Sequence, residues 1–150
     1  MNNDDRIERE ILLNAPVARV WQALTDHRQF GEWFLVDLEG PFEVGATTTG
    51  HTTYPGYEFL PFEAAVERMD EPRLFSFRWP QCDFETGTRL DEPPTLVEFH
   101  LEDRDGKTLL RVVESGFEKL SPEVRERTLR MNSSGWSEQI GNILRYVERE

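Results

Sequence analysis

Lysine and arginine are scarce in this chain: 17 stand against 29 aspartates and glutamates, a net charge of −12. Proteins that grip nucleic acid or an anionic membrane need a basic face, so neither partner is expected. Cysteine is nearly absent. Cys82 alone rules out an intramolecular disulfide framework and any Cys-x-x-Cys metal or redox pair. No apolar run approaches the ~20 residues of a membrane span. The opening Met1-Asn2-Asn3-Asp4-Asp5 is polar and acidic, the reverse of a secretory leader, which points to a cytoplasmic protein. No internal repeat occurs, and no Gly/Ser/Pro-rich tract is long enough to join two domains. The 150 residues therefore read as one domain, of a size that buries roughly 70 % of its unfolded surface.

Catalytic signatures are missing too. There is no Gly-x-Ser-x-Gly elbow and no His-Glu-x-x-His pair. Gly45-Ala46-Thr47-Thr48-Thr49-Gly50-His51-Thr52 has phosphate-loop spacing, but His51 replaces the required lysine. It also runs into strand-like sequence, so no helix N-terminus would meet a phosphate. Glu98 and His100 share a strand face, yet two ligands without a third make a poor zinc site. Asn132-Ser133-Ser134 matches a glycosylation sequon within an expected helix. Cys82 sits beside Asp83 and Glu85, which discourages its thiolate. Neither a metal nor a cofactor is expected.

What is present is a clear order of elements. Ile7, Arg9, Ile11 and Leu13 alternate with Glu8 and Glu10, the pattern of a half-buried strand. Pro16 suits the first turn of a helix, on which Val17, Val20, Trp21 and Leu24 form one stripe. Asp26 with Gln29 resembles a capping box and predicts a second short helix ending near Trp33. From Asp37 to Gly116 the period is two. Strands are expected at Thr47–Tyr54, Phe59–Met69, Arg73–Trp79, Thr95–Glu102 and Thr108–Ser115, with a weaker one near Val36–Leu38. Asp103-Arg104-Asp105-Gly106-Lys107 reads as a hairpin, and the short links imply an antiparallel meander. Ser121-Pro122-Glu123 starts a helix with a hydroxyl at the N-cap and proline at N1. Nothing stops that helix before Glu150, so it extends about 40 Å. The fold class is α+β.

The order and several motifs resemble the START-like (SRPBCC, helix-grip) superfamily. The most similar branch is that of the C-terminal domain of the activator of heat-shock protein ATPase. The matching residues are Ala15-Pro16, Val20-Trp21, Leu24-Thr25, Trp33-Phe34, Phe42-Glu43-Val44-Gly45, Pro72-Arg73-Leu74 leading to Trp79, Ser115-Gly116-Phe117 and Gly135-Trp136. The resemblance implies a curved antiparallel sheet of six or seven strands gripping the long last helix, with a cavity between them. Members of that superfamily include small-molecule binders, polyketide cyclases and chaperone regulators, so fold alone does not fix function. Gly135 and Gly141 lie inside the helix, where each costs about 1 kcal/mol relative to Ala. Close backbone approach or room for a guest would offset that cost.

Strand parity assigns the inward face. Phe75, Phe77, Trp79, Val97, Phe99 and Val112 would face the helix, and Trp136, Ile140, Ile143, Asn132 and Gln139 would oppose them. Trp33 joins this lining from the second helix. Such a wall suits a flat apolar guest and equally an ordinary filled core. Glu114 continues the apolar face of Leu110 and Val112, so its carboxyl needs a partner: an arginine, the Trp136 N–H, water or a ligand. It is the one candidate for an anchor or an acid/base group. The segment Pro80–Pro94, with Asp83, Glu85, Asp91 and Glu92, is either a lid or a solvated loop. The leading expectation is non-catalytic binding of a small hydrophobic or aromatic molecule. The alternatives are a cyclase- or hydrolase-type enzyme using Glu114 with Tyr54 or Tyr57, and a chaperone-regulating module. A homodimer is left open.

Overall fold

Alternation decides the first strand, β1 (Arg6–Leu13): Ile7 and Leu13 are buried and Arg9 and Ile11 half-buried on the same face. The computed structural model describes residues 6–149; the acidic opening segment and Glu150 lie outside them. Pro16 stands at the N-cap of α1 (Val17–Thr25), which buries Val20, Trp21, Ala23 and Leu24. Asp26 caps α2 (His27–Phe34) as expected, its carboxylate accepting from the backbone N–H of Arg28 at 2.9 Å and of Gln29 at 3.2 Å.

Six strands follow: β2 (Val36–Leu38), β3 (Thr47–Thr52), β4 (Pro61–Asp70), β5 (Leu74–Trp79), β6 (Thr95–Arg104) and β7 (Lys107–Ser115). A 3-10 turn at Phe117–Lys119 leads into α3 (Pro122–Glu148). The strands pair antiparallel in the order β1-β7-β6-β5-β4-β3-β2. This is a meander closed by β1, and α1 and α2 carry the chain from one sheet edge to the other. The curved open sheet with its long last helix is the helix-grip architecture. At the β6–β7 hairpin Arg104 pairs with Lys107, and Asp105 and Gly106 have φ of 55° and 87°, as a two-residue type I′ turn requires.

Two details depart from the sequence reading. β3 stops at Thr52 and β4 starts at Pro61, because Tyr54–Leu60 folds into turns held by Tyr57 N–H to Tyr54 O and Leu60 N–H to Tyr57 O, both 2.9 Å. The hydroxyl of Ser121 does not cap α3. It donates instead to Glu92 Oε2 at 2.8 Å, while the Ser121 N–H reaches Glu92 Oε1 at 3.0 Å, which fastens the β5–β6 connection to the start of the helix.

The sheet's inner face is filled. Phe75, Phe77, Val97, Phe99, Leu110 and Val112 are all at most 2 % exposed. Trp136, Ile143, Tyr146 and Val147 of α3 are buried against this core, which Phe30 and Phe42 complete. Phe99 and Trp136 meet edge to face at 5.8 Å, a favoured aromatic geometry. Arg9, inward on β1, ties the edge strand to the helix by donating to Ser133 O and Oγ and to Ser137 Oγ at 2.9, 2.6 and 3.0 Å.

The α3 glycines do not serve a close approach. A Cβ at Gly135 would meet nothing within 4 Å, and one at Gly141 only the Arg145 guanidinium of the same helix. Gly135 is an exposed helix-interior glycine, so its cost is uncompensated by packing. Gly135→Ala should therefore raise the urea midpoint at unchanged m, by the equivalent of about 0.5–1 kcal/mol. A lower midpoint would mean that the glycine serves the native state in some other way.

Candidate functional site

Parity along β7 puts Glu114 on the inner face after Leu110 and Val112, and it is 0 % exposed. No arginine among the described residues hydrogen-bonds to it. Its partners come from three elements. Trp79, at the end of β5, donates its indole N–H to Oε2 at 2.9 Å, and Thr95, which pairs with Trp79 across β5–β6, donates its hydroxyl to Oε2 at 2.6 Å. Asn132 and Trp136 stand one turn apart on α3. The Asn132 amide donates to Oε1 and Oε2 at 3.1 and 3.0 Å, and the Trp136 indole donates to Oε1 at 2.9 Å. Burial pushes the Glu114 carboxyl above its ordinary value, and these hydrogen bonds pull it partly back. The group is a structural knot: both oxygens accept hydrogen bonds from side chains, and the residue has no solvent exposure.

Beside this knot opens a cavity of about 390 Å³, within the range of small-ligand sites, about 300–1,000 Å³. It lies between the first turns of α3 and the β5–β6 connection. Phe34, Phe62, Trp79, Phe84 and Met131 supply its apolar wall, and Gln81, Cys82, Thr128 and Asn132 its polar positions. Glu63, Asp83 and Glu85 are partly offset by Arg89 and Arg127, with Arg89 held to Glu63 at 3.3 Å. The Pro80–Pro94 segment is folded: Cys82 bridges Arg89, the Leu90 N–H reaches Gln81 O at 3.0 Å, and Asp83 and Thr88 bond at 2.8 Å. Burial and the neighbouring Asp83 charge push the Cys82 thiol up, which keeps it a thiol. Among the described residues no group of three or more His, Cys, Asp or Glu is placed to hold a metal. His100 and Glu98 stand 3.6 Å apart on the outer face.

The expected lining divides in two. Trp79 and Asn132 border the cavity. Phe75, Phe77, Val97, Phe99, Val112 and Ile143 lie in the filled core, as does Trp33, whose indole donates to Ala23 O at 2.8 Å. Trp136 and Glu114 sit one layer behind the cavity wall. Gln139 donates to Phe34 O at 3.0 Å, and Ile140 packs half-buried on the core. The opening is thus at one end of the grip and not under the middle of α3, where aromatic rings fill the space. Tyr54 and Tyr57 are 42 % and 47 % exposed and meet edge to face at 5.8 Å, and neither hydrogen-bonds to Glu114. Sequence reasoning passed over Phe34, Phe62, Gln81, Phe84, Thr128 and Met131. Two of these had a signal: Phe62 alternates with the buried Ala64 and Val66, and Thr128 stands one turn before Asn132.

A family model described as "Activator of Hsp90 ATPase homolog 1-like protein" matches residues 14–148. The chain belongs to this AHSA1 family. Among solved structures, a putative protein in the dynemicin biosynthetic locus, DynU16, is 25 % identical, with a TM-score of 0.74 over 96 % of this chain. The match spans 47 % of DynU16, so this chain corresponds to about half of that protein. Ms6760 from Mycobacterium smegmatis superposes at TM-score 0.78 with 22 % identity over 99 % of this chain and 93 % of its own. The Aha1 dimer from Colwellia psychrerythraea does so at 0.71 with 17 % identity over 95 % and 96 %. These last two share the AHSA1 fold. No curated protein matches the chain.

Removing the Glu114 carboxylate leaves the Trp136 indole N–H, the Asn132 amide and the Thr95 hydroxyl without their acceptor and the Trp79 N–H with Thr95 alone, so Glu114→Ala should cost roughly 3 kcal/mol or more in urea unfolding. The pH dependence has a definite sign. A carboxyl held above its ordinary value of about 4.5 stabilises the fold fully below that pH, and the contribution is lost as pH rises through the folded-state value. The stability of the protein relative to Glu114→Gln should therefore fall across that window. A difference that stays flat or rises would contradict the assignment.

Proposed function

We propose that this protein binds a small, flat, apolar molecule in the cavity between the start of α3 and the β5–β6 connection, without transforming it. The observation that carries this reading is the wall itself: Phe34, Phe62, Trp79, Phe84 and Met131 converge on about 390 Å³ of space. Aromatic faces reward flat guests. The rim holds three carboxylates and two guanidiniums, Glu63, Asp83 and Glu85 with Arg89 and Arg127, so it offers no surplus positive charge to an anionic guest. The likeness to DynU16, from a biosynthetic locus, is in keeping with a small organic ligand.

Catalysis of the cyclase or hydrolase type is the weaker reading, because it needs Glu114 to reach a substrate proton. Both oxygens of Glu114 accept from side chains at 2.6–3.1 Å, and Trp79 and Asn132 stand between it and the cavity. A chaperone partner or a dimer, as in the Colwellia psychrerythraea Aha1, rests on kinship alone.

Titration of 2-methylnaphthalene into nitrogen-15-labelled protein tests the binding reading. The Trp79 indole N–H resonance should move, and that of the core residue Trp33 should stay. Met131→Trp, at a position 36 % exposed and therefore tolerant of change, should fill the mouth and abolish the shift. No movement at Trp79 up to the solubility limit of the probe would remove the proposal.

A further inference from the structure

The knot around Glu114 fixes how two of the cavity's amide side chains face it, those of Asn132 and Gln81. Asn132 spends its amide nitrogen on both carboxylate oxygens, at 3.1 and 3.0 Å, and no donor among the described residues reaches its Oδ1. Gln81 is turned the same way. Its Nε2 donates to Thr95 Oγ1 at 3.2 Å, because the Thr95 hydroxyl hydrogen is committed to Glu114 and only its lone pairs remain. Gln81 is 5 % exposed, and its Oε1 likewise meets no donor among the described residues. Neither carbonyl oxygen is sealed in without a partner, since no fully buried side-chain polar atom in the described residues lacks one. Both residues border the cavity. Of the other polar groups of this wall, the Cys82 thiol and the Thr128 hydroxyl lie outside the knot, and the Trp79 N–H is shared between Glu114 and Thr95 at 2.9 and 3.0 Å. A carboxylate accepts from every side, so it draws the neighbouring N–H and O–H groups towards itself and leaves acceptors facing outward.

We propose that the cavity selects a neutral aromatic molecule carrying a hydrogen-bond donor, a phenolic hydroxyl or a ring N–H, seated against Asn132 Oδ1 and Gln81 Oε1. The proposal rests on the binding reading above and adds the chemical class of the ligand. A guest without a donor would strip water from these two oxygens and return nothing, which is where polar sites gain their discrimination. The aromatic wall then supplies affinity, and the two amide oxygens supply the choice.

The test compares 2-naphthol with 2-methylnaphthalene, which differ by a hydroxyl against a methyl group of similar size. Both are titrated into the unaltered protein at mildly alkaline pH, and the Trp79 indole resonance is followed. The hydroxyl compound should bind about tenfold tighter, the effect of one net hydrogen bond, although it is the less hydrophobic of the two. Binding of 2-naphthol alone would support the proposal more strongly. Equal affinity, or tighter binding of 2-methylnaphthalene, overturns the donor requirement and leaves the apolar cavity reading standing. If neither binds, both fall. Asn132→Ala should bring the ratio of the two affinities towards one, whatever it does to either affinity alone. Should that variant not fold, the comparison on the unaltered protein decides alone.

Discussion

One buried carboxylate determines how this helix lies on this sheet. Glu114 has no solvent contact, and burying a charge without partners would be prohibitive. The sequence provides four donor side chains from β5, β6 and α3, and each also needs the acceptor: the indole N–H groups of Trp79 and Trp136 can only donate. The requirement is therefore mutual. Sliding α3 by one turn would leave Asn132 and Trp136 without Glu114, and Glu114 without half its donors. Aromatic packing is tolerant of small displacements; a fully occupied polar knot is not. The apolar face supplies the driving force, and Glu114 specifies the register of helix on sheet.

The same knot separates the polar core from the chemistry of the cavity. Among the cavity's ionisable groups, Glu63 is engaged by Arg89 at 3.3 Å, Asp83 accepts the Glu85 N–H at 2.8 Å, and the Cys82 thiol is pushed up by burial. None is paired with a base or nucleophile in the manner general acid–base or covalent catalysis requires. The strongest candidate for such a role in the sequence, Glu114, is spent on structure.

Much of the fold was legible because it follows from period and punctuation. Seven strand segments and three helices emerged from alternation, the Asp26 cap and the Ser121-Pro122 start. The β6–β7 hairpin followed from Asp105-Gly106. The errors were at ends where side chains overrode propensity: Tyr54, Tyr57 and Phe59 are strand formers, yet their rings pack on one another in a turn outside the sheet. Parity placed Glu114 on the inner face, and the Trp136 N–H stood among its four named candidate partners. Trp79, Thr95 and Asn132 as further donors required three-dimensional register. The cavity was harder. Whether an aromatic face encloses space or fills it depends on ring-to-ring distances, and Phe42, Phe30 and Phe34 arrive from segments distant in sequence to fill the middle. Period alone carries no such information.

The location of the opening has its own physical cause. Along α3 the buried residues are Trp136, Ile143, Tyr146 and Val147, and none precedes Trp136. The second half of the helix is thus held chiefly by apolar burial, whereas the first half, with only Val124 and Leu129 part-buried on the core, leans more on discrete polar points: Asn132 on Glu114, Ser133 on Arg9, and Ser121 on Glu92. Polar tethers fix a separation without filling it. Where rings stop and tethers begin, the helix and sheet enclose a wedge, and the folded β5–β6 connection closes its outer side through Phe84 and Gln81. The cavity is a consequence of changing from one kind of attachment to another along a single helix, and its walls inherit the chemistry of both: rings from the first kind, oriented amides from the second.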